Sequence, residues 1–360
     1  MAFNLNSYPV AYRAKYTKDL GWKEEFLEKP HKTPAEEAAL PPAEAAALAD
    51  SRNFYSDMPL VNYTTQYGLG CFEGVKALPQ KDGGLAIFRP DQNARRFYNS
   101  MKGLYMPPFP EEMFVKALVE MTARNVALGF CPSYKAEWEK DSFMNADSIY
   151  IRPFTYTEGG IGVNISREPW VVAVCTPVSS YFTEGSSDAV VTERIRATPK
   201  GTGWIKADSN YVIAALAKQE AHEQGYMECV FLDSQNRRYL EEGSSCNIFF
   251  YLKSGELVTP ELGDTILPGI TRLSVIELAR DQGVTVRERK ITIDEVMSDT
   301  KECFVSGTAA GATPISSLTY NGKKVPFAFP GELSGEIQKT LKGIQYGILP
   351  DTKGWMKRVV

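Results

Sequence analysis

The chain has 360 residues, 40 of them basic and 44 acidic, for a formal net charge of −4. A hydrophobic content of 43 % with 11 % aromatics is enough to fill real cores and excludes a disordered chain, while the near-balance of charge gives no electrostatic reason for nucleic acid or an anionic membrane as partner. Single cores stop growing near ~250–300 residues, so this length predicts two domains.

Residues 1–58 read as an N-terminal arm. In it, Thr33-Pro34-Ala35-Glu36 combines an N-cap, a proline at the first helical position and a capping-box glutamate, and the alanine-rich run 35–50 has helical propensity broken by Pro41-Pro42. Gly68 and Gly70 loosen the chain ahead of Phe72-Glu73-Gly74. Leu85 to Phe88 is a short apolar strand. Pro90 to Tyr105 and Pro110 to Leu128 carry helical spacing, the second closed by Gly129. Ser148 to Pro153 is strand-like and stopped by its proline, and Trp170 to Cys175 is a near-continuous apolar strand. Residues 179–190, rich in Ser, Gly, Asp and Glu, predict an interdomain connection between a small α/β domain, 59–178, and a large domain, 191–360.

Beyond it, Ala189 to Thr192 begins a strand, and Asn210 to Gln224 is an amphipathic helix closed by Gly225. Cys229 to Asp233 and Cys246 to Tyr251 are strands. Ile270 to Gln282 is a helix ending at Gly283, and Val284 to Ile293 alternates with a period near two. Strands and helices interleave in both halves, so the fold class is α/β (α+β), with no internal repeat and no low-complexity tail.

The six cysteines are scattered without a C-x-x-C pair, which fits reduced, mostly buried thiols in a cytosolic protein. No apolar run approaches the ~18–20 residues of a membrane span, and the first eight residues lack the basic and apolar regions of a signal peptide. The two histidines, His31 and His222, sit in polar surroundings. Ser-His-Asp catalysis, Cys-His catalysis and His-based metal sites lose their support, and no metal is expected.

Four stretches of the second half could carry chemistry. In Gly201-Thr-Gly-Trp-Ile-Lys206-Ala-Asp-Ser-Asn-Tyr211, a lysine follows a glycine pair and two large apolar residues, just ahead of a helix. Both surroundings disfavour an ammonium and suit a Schiff-base lysine, although an exposed loop lysine fits the same pattern. In Tyr239-Leu-Glu-Glu242-Gly-Ser-Ser-Cys-Asn247, a carboxylate at the edge of an apolar strand could hold a protonated ring nitrogen; a solvated turn is the alternative and suits Glu241. Leu267-Pro-Gly-Ile-Thr271 feeds a Pro-Gly turn straight into a helix, leaving the N–H groups of Ile270 and Thr271 free to face an anion. Ser306-Gly-Thr308-Ala309 follows the strand 303–305 with small residues that let backbone approach a ligand. Neither G-x-G-x-x-G after a strand nor G-x-x-x-x-G-K-[ST] occurs, so dinucleotide and P-loop readings fall away.

Taken in order, these motifs resemble those of the branched-chain-amino-acid aminotransferases, fold-type-IV enzymes that use pyridoxal 5'-phosphate. Tyr67-Gly-Leu-Gly-Cys-Phe72-Glu-Gly-Val-Lys-Ala77, Phe88-Arg-Pro-Asp-Gln-Asn-Ala-Arg-Arg96, Tyr150-Ile-Arg152-Pro and Gly162-Val163 extend the resemblance over roughly residues 60–345. It implies a two-domain fold with the cofactor at the domain interface, the large domain being the cofactor-binding one, and a cytoplasmic homodimer that moves amino groups between L-leucine, L-isoleucine or L-valine and 2-oxoglutarate.

It implies Lys206 as the Schiff-base lysine and proton shuttle, Tyr211 on the cofactor's phenolic oxygen and Glu242 on the ring nitrogen. Arg96, Ile270, Thr271, Thr308 and, less directly, Arg196 are implied at the phosphate. Tyr67 and Thr308-Ala309 are implied at the substrate α-carboxylate. Phe72, Tyr150, Val163 and Tyr181 line an apolar pocket, and Arg152 accommodates the distal carboxylate of glutamate. The chain departs from members that carry a redox C-x-x-C after the Gly-Thr-Ala turn, having Ala310 and Thr313 there. D-amino-acid aminotransferase and aminodeoxychorismate lyase share the fold and cofactor; Phe72-Glu-Gly-Val-Lys-Ala and Tyr150-Ile-Arg-Pro favour the branched-chain enzyme.

Overall fold

The computed structural model describes residues 5–53, 55, 57–141, 143, 145–179 and 187–360. The chain forms two compact units. One takes residues 1–181, 207–209 and 344–360; the other takes 182–206 and 210–343.

The first unit is built on one antiparallel sheet. Its strands are β1 (Val10–Thr17), β2 (Gly21–Glu28), β3 (Val75–Pro79), β4 (Leu85–Phe88), β5 (Ser148–Tyr156) and β6 (Trp170–Val178), ordered β4-β3-β5-β6-β1-β2. A seventh strand, Met356–Arg358, returns from the end of the chain and pairs with β4. The expected N-terminal arm therefore supplies the β1–β2 hairpin, with Gly21 at φ 65° closing its turn. The arm also holds helix α1 (Pro34–Ala38), whose Thr33–Glu36 capping box forms as expected, and helix α2 (Pro42–Ser51) after the proline pair.

Helix α3 (Tyr63–Tyr67) stops at Gly68, which adopts a left-handed φ of 66°. Helices α4 (Pro90–Gly103) and α5 (Glu111–Ala127) lay Phe97, Met101, Phe114, Leu118 and Met121 into one core with Val75, Ala77, Ile149, Ile151 and Val171 of the sheet. One expectation fails here: β5 runs through Pro153 instead of ending at it. The carbonyl of Pro153 accepts from Glu73 N at 2.7 Å, so its nitrogen faces the same side, beyond the last β3 residue paired with β5. The pairing continues past it, with Phe72 bridging Phe154, so the proline removes only the one bond an N–H there would have donated to Glu73 O.

The second unit stacks two five-stranded sheets. One contains β7 (Asp188–Val191), β8 (Glu228–Leu232) and β9 (Leu240–Gly243). The other contains β10 (Asn247–Leu252), β11 (Glu256–Thr259), β12 (Thr285–Glu288), β13 (Thr300–Gly307) and β14 (Gly311–Ile315). The hairpin β15 (Ser317–Tyr320) and β16 (Lys323–Pro326) completes the first sheet. Their inner faces share a core of Val191, Val230, Leu240, Ile248, Phe250 and Val305.

Period-two alternation turns Phe249 outward, where it stacks on Phe304 at 4.9 Å under α7 (Ile270–Asp281) and α9 (Glu332–Gln345). Helix α6 (Asn210–Glu223) covers Cys229 and Phe231 of β8 in the same way. The alternation expected through Ile293 holds as a strand only over 285–288. Thr292 then caps α8 (Ile293–Asp299), its hydroxyl accepting from Glu295 N at 3.1 Å.

Candidate active site

In the second unit, the loop before Lys206 is fixed by its own sequence. Gly203 has no room for a side chain, since a Cβ there would lie 2.7 Å from Ala197 and Thr265. Trp204 N donates to Asp264 O at 3.1 Å. Asn210, first residue of α6, donates to the carbonyls of Thr202 (2.7 Å) and Ile205 (2.9 Å), and its side-chain oxygen accepts from the Thr202 hydroxyl at 2.7 Å. This latch ties the residue before Lys206 to the helix that carries Tyr211. The Lys206 ammonium donates to the Tyr211 hydroxyl at 2.7 Å, five residues downstream.

Glu242, on β9, is buried. It pairs with the Arg196 guanidinium and accepts from Asn247 Nδ2 (2.9 Å) and Leu267 N (3.3 Å). Burial pushes its carboxyl up; Arg196, the Leu267 amide and the Lys206 charge pull the other way. Arg196 also donates to the carbonyls of Gly203 (3.0 Å) and Thr265 (3.1 Å). The structure thus places Arg196 against Glu242, because a buried guanidinium takes the nearest carboxylate.

Asn247 donates as well to Leu267 O at 3.0 Å, and this holds the turn that opens α7. That helix begins at Gly269 with no side-chain cap, so the amides of Ile270 and Thr271 lead a bare positive dipole end. A Cβ at Gly269 would lie 1.9 Å from Asn247 Oδ1, so only glycine fits. Thr308 and Ala309 form the tip of the β13–β14 hairpin, between Gly307 and Gly311, which pair across it.

Glu241 corrects the reading of a solvated turn. It is 6 % exposed, and its Oε2 has no hydrogen-bond partner among the described residues. The segment around Thr265, tied down by Arg196, closes over it. Burial pushes its carboxyl up to about 7, against the Thr265 hydroxyl and the Arg196 charge.

The first unit gathers its own set of the expected residues. The Arg152 guanidinium lies 4.5 Å from the centre of the Phe72 ring and donates to the Tyr150 hydroxyl at 2.8 Å. Arg152 Nε is buried with no hydrogen-bond partner among the described residues. A Cβ on Gly74 would sit 2.2 Å from the Tyr150 hydroxyl, so the glycine of Phe72-Glu-Gly is what lets that tyrosine in.

Arg96 projects from α4 onto Glu73 through two bonds of 2.7 and 2.8 Å, and Asn93 adds a third at 2.7 Å. Tyr67 lies elsewhere in the same unit, where its hydroxyl accepts from the Gly162 amide at 2.9 Å, and the adjacent Val163 is 97 % exposed, so Val163 lines no pocket within this unit. Tyr181 lies outside the described residues.

A family model described as Amino-transferase class IV matches residues 70–318. A branched-chain-amino-acid aminotransferase of Mycolicibacterium smegmatis is 39 % identical over 307 residues, 81 % of this chain and 80 % of that protein. The chain belongs to the branched-chain-amino-acid aminotransferases of class IV.

Solved aminotransferases agree in fold. The branched-chain aminotransferase of Thermoproteus uzoniensis, crystallised with norvaline, aligns with a TM-score of 0.72 at 28 % identity, over 85 % of this chain and 95 % of that one. The T.th. branched-chain amino acid aminotransferase with pyridoxamine 5'-phosphate gives 0.72 at 30 % identity, over 85 % and 94 %. For an aminotransferase site, sequence reasoning missed Glu73, Asn210 and Asn247, which hold other residues in place. Asn247 closes the quoted Glu-Glu-Gly-Ser-Ser-Cys-Asn motif, and its fixed distance from Glu242 was the available signal. Nothing in the sequence announces the partner of Arg96.

Proposed function

We propose that this aminotransferase moves amino groups between L-leucine, L-isoleucine or L-valine and 2-oxoglutarate, with pyridoxal 5'-phosphate as cofactor and Lys206 as the lysine that receives its aldehyde. The observation carrying this reading is the Lys206–Tyr211 bond of 2.7 Å, in the same unit as a buried carboxylate coupled to the Lys206 charge and an uncapped helix N-terminus. These donors and acceptors fit the cofactor chemically. Glu242 suits a protonated ring nitrogen, Tyr211 a phenolic oxygen, and the Ile270 and Thr271 amides a phosphate. Gly269 leaves the room that Asn247 Oδ1 occupies, which keeps the turn into α7 in place.

The bound cofactor supplies an electron sink for the charge left when the Cα proton departs. The chain does the rest. Lys206 accepts that proton and delivers it to the carbon where the amino group is exchanged, and Tyr211 holds the amine in line for both transfers. Glu242 keeps its proton partner charged; Arg196 and Asn247 hold Glu242 in one rotamer, so nothing reorganises during turnover. Within the second unit, Thr308 joins the α7 amides as a phosphate donor, and the Thr308-Ala309 turn receives the α-carboxylate. Phe72 and Tyr150 supply apolar surface for the side chain, and Arg152, which touches both, takes the distal carboxylate of glutamate. One methylene in such a pocket is worth about 1–3 kcal/mol, so leucine, isoleucine and valine are separated weakly.

We place the protein in the cytoplasm as a homodimer. Leu60 is 82 % exposed and Ile161 78 %, and with Val61, Tyr67 and Val163 they surround the Gly160–Gly162 loop, an apolar cluster that suits a second copy of the chain. Transfer from each L-amino acid to 2-oxoglutarate, with D-leucine as control, tests the activity: turnover of the three L-substrates supports it, and turnover of D-leucine alone contradicts it.

A further inference from the structure

Arg152 has a second neighbour that the reading above does not use. The segment 70–73 lies between β5 and residues 207–208: Phe72 bridges Phe154, Cys71 bridges Ala207, and Asp208 N donates to Gly70 O at 3.0 Å. Gly70 is two residues from Phe72, the ring under the Arg152 guanidinium, and alternation along an extended segment turns both to one face. The Asp208 carboxylate occupies that face. A Cβ on Gly70 would lie 2.2 Å from Asp208 Oδ2, so the missing side chain of Gly70 is the seat of the carboxylate. Arg152 and Asp208 feel each other's charge there; burial pushes the Asp208 carboxyl up to about 6 in spite of Arg152, which leaves it ionised at pH 8.

We propose that Asp208 is a specificity-determining residue, a fixed carboxylate that competes with the distal carboxylate of glutamate or 2-oxoglutarate for Arg152 and so shifts preference toward uncharged side chains. The inference rests on the reading of Arg152 as the site for that distal carboxylate. An ionised Asp208 offsets part of the guanidinium charge and repels a second anion brought to it, whereas an aliphatic side chain meets no such opposition. Lys206 and Tyr211 flank this aspartate in the sequence, so the residue that carries the chemistry and the one that selects the substrate are set by one short stretch of chain.

The test measures binding of glutarate and of 4-methylpentanoate to the cofactor-loaded protein by calorimetry at pH 8, in wild type, Asp208→Asn, Asp208→Ser and Arg152→Gln. Asp208→Asn should raise the preference for glutarate over 4-methylpentanoate about fivefold, the scale of one partly screened charge pair, with the same change in the L-glutamate to L-leucine ratio of kcat/KM. Asp208→Ser, which also removes the charge, should move both ratios in the same direction. A purely structural role would shift both ligands together, and that result, or no shift in either variant, would overturn the proposal. If Arg152→Gln weakens glutarate binding while the Asp208 variants leave the preference unchanged, the proposal fails and the Arg152 reading stands. If Arg152→Gln leaves glutarate binding unchanged, both fail.

Discussion

Glu73→Gln is the substitution whose cost the structure sets most clearly. The Glu73 carboxylate is fully buried and accepts four hydrogen bonds: two from Arg96 at 2.7 and 2.8 Å, one from Asn93 at 2.7 Å and one from Gly74 N at 3.3 Å. Glutamine keeps the shape but loses the charge. It also turns an NH2 group toward donors, so at least one of these contacts becomes donor against donor. Arg96 stays buried and loses the carboxylate charge of Glu73. Removing one partner of a buried pair costs about 3–5 kcal/mol, because the remaining ion stays desolvated. For a unit of this size that lowers the melting temperature by roughly 6–20 °C.

Thermal unfolding followed by circular dichroism, wild type beside the variant without cofactor, reads this directly. A fall of less than about 2 °C would show that Arg96 is not held by Glu73 as the geometry says.

Glu242→Gln should lower kcat by at least ~100-fold while cofactor affinity changes far less, measured by turnover beside a cofactor titration; equal losses in both would contradict the ring-nitrogen role. Gly269→Ala forces Asn247 aside, since its Cβ would meet Oδ1 at 1.9 Å, and should weaken cofactor binding about tenfold, the scale of one or two hydrogen bonds to an anion. Unchanged affinity there would remove α7 from the phosphate site.

Acid stability offers an independent check. Burial pushes the Asp188 carboxyl up, but Lys324 at 2.6 Å and the hydroxyls of Ser316 and Ser317 outweigh it and hold the group at about 2, below the ordinary 3.8. A carboxyl depressed on folding adds stability above its unfolded pKa and loses it as pH falls from 3.8 toward 2. Asp188→Asn should flatten that part of the stability curve by about 1–2 kcal/mol after allowance for solvent screening; equal slopes in the two proteins would refute the pairing.

Much of this was legible in the sequence for identifiable reasons. Lys206 and Glu242 lie in stretches that stand out locally, a helix start and a strand edge, but their roles and that of Tyr211 rest on the resemblance of the ordered motifs; the Thr33–Glu36 box and Gly129 mark helix ends through local chemistry. The β1–β2 hairpin was not legible, because its second strand, Gly21–Glu28, is charged and largely exposed and lacks clean alternation. Glu241 was misread because its burial depends on a segment more than twenty residues away, around Thr265, that no local pattern announces. The Glu73–Arg96 pair and the seat of Asp208 over Gly70 are likewise products of distant chain segments brought together, and period and composition carry no record of them.

Everything in the functional account depends on which amine receives the cofactor's aldehyde. Treating the purified protein with pyridoxal 5'-phosphate, reducing it with borohydride and mapping the labelled peptide by mass spectrometry answers that in one measurement. The account predicts the phosphopyridoxyl group on Lys206 alone, and no label in Lys206→Ala. A label on another lysine with Lys206 untouched would contradict it.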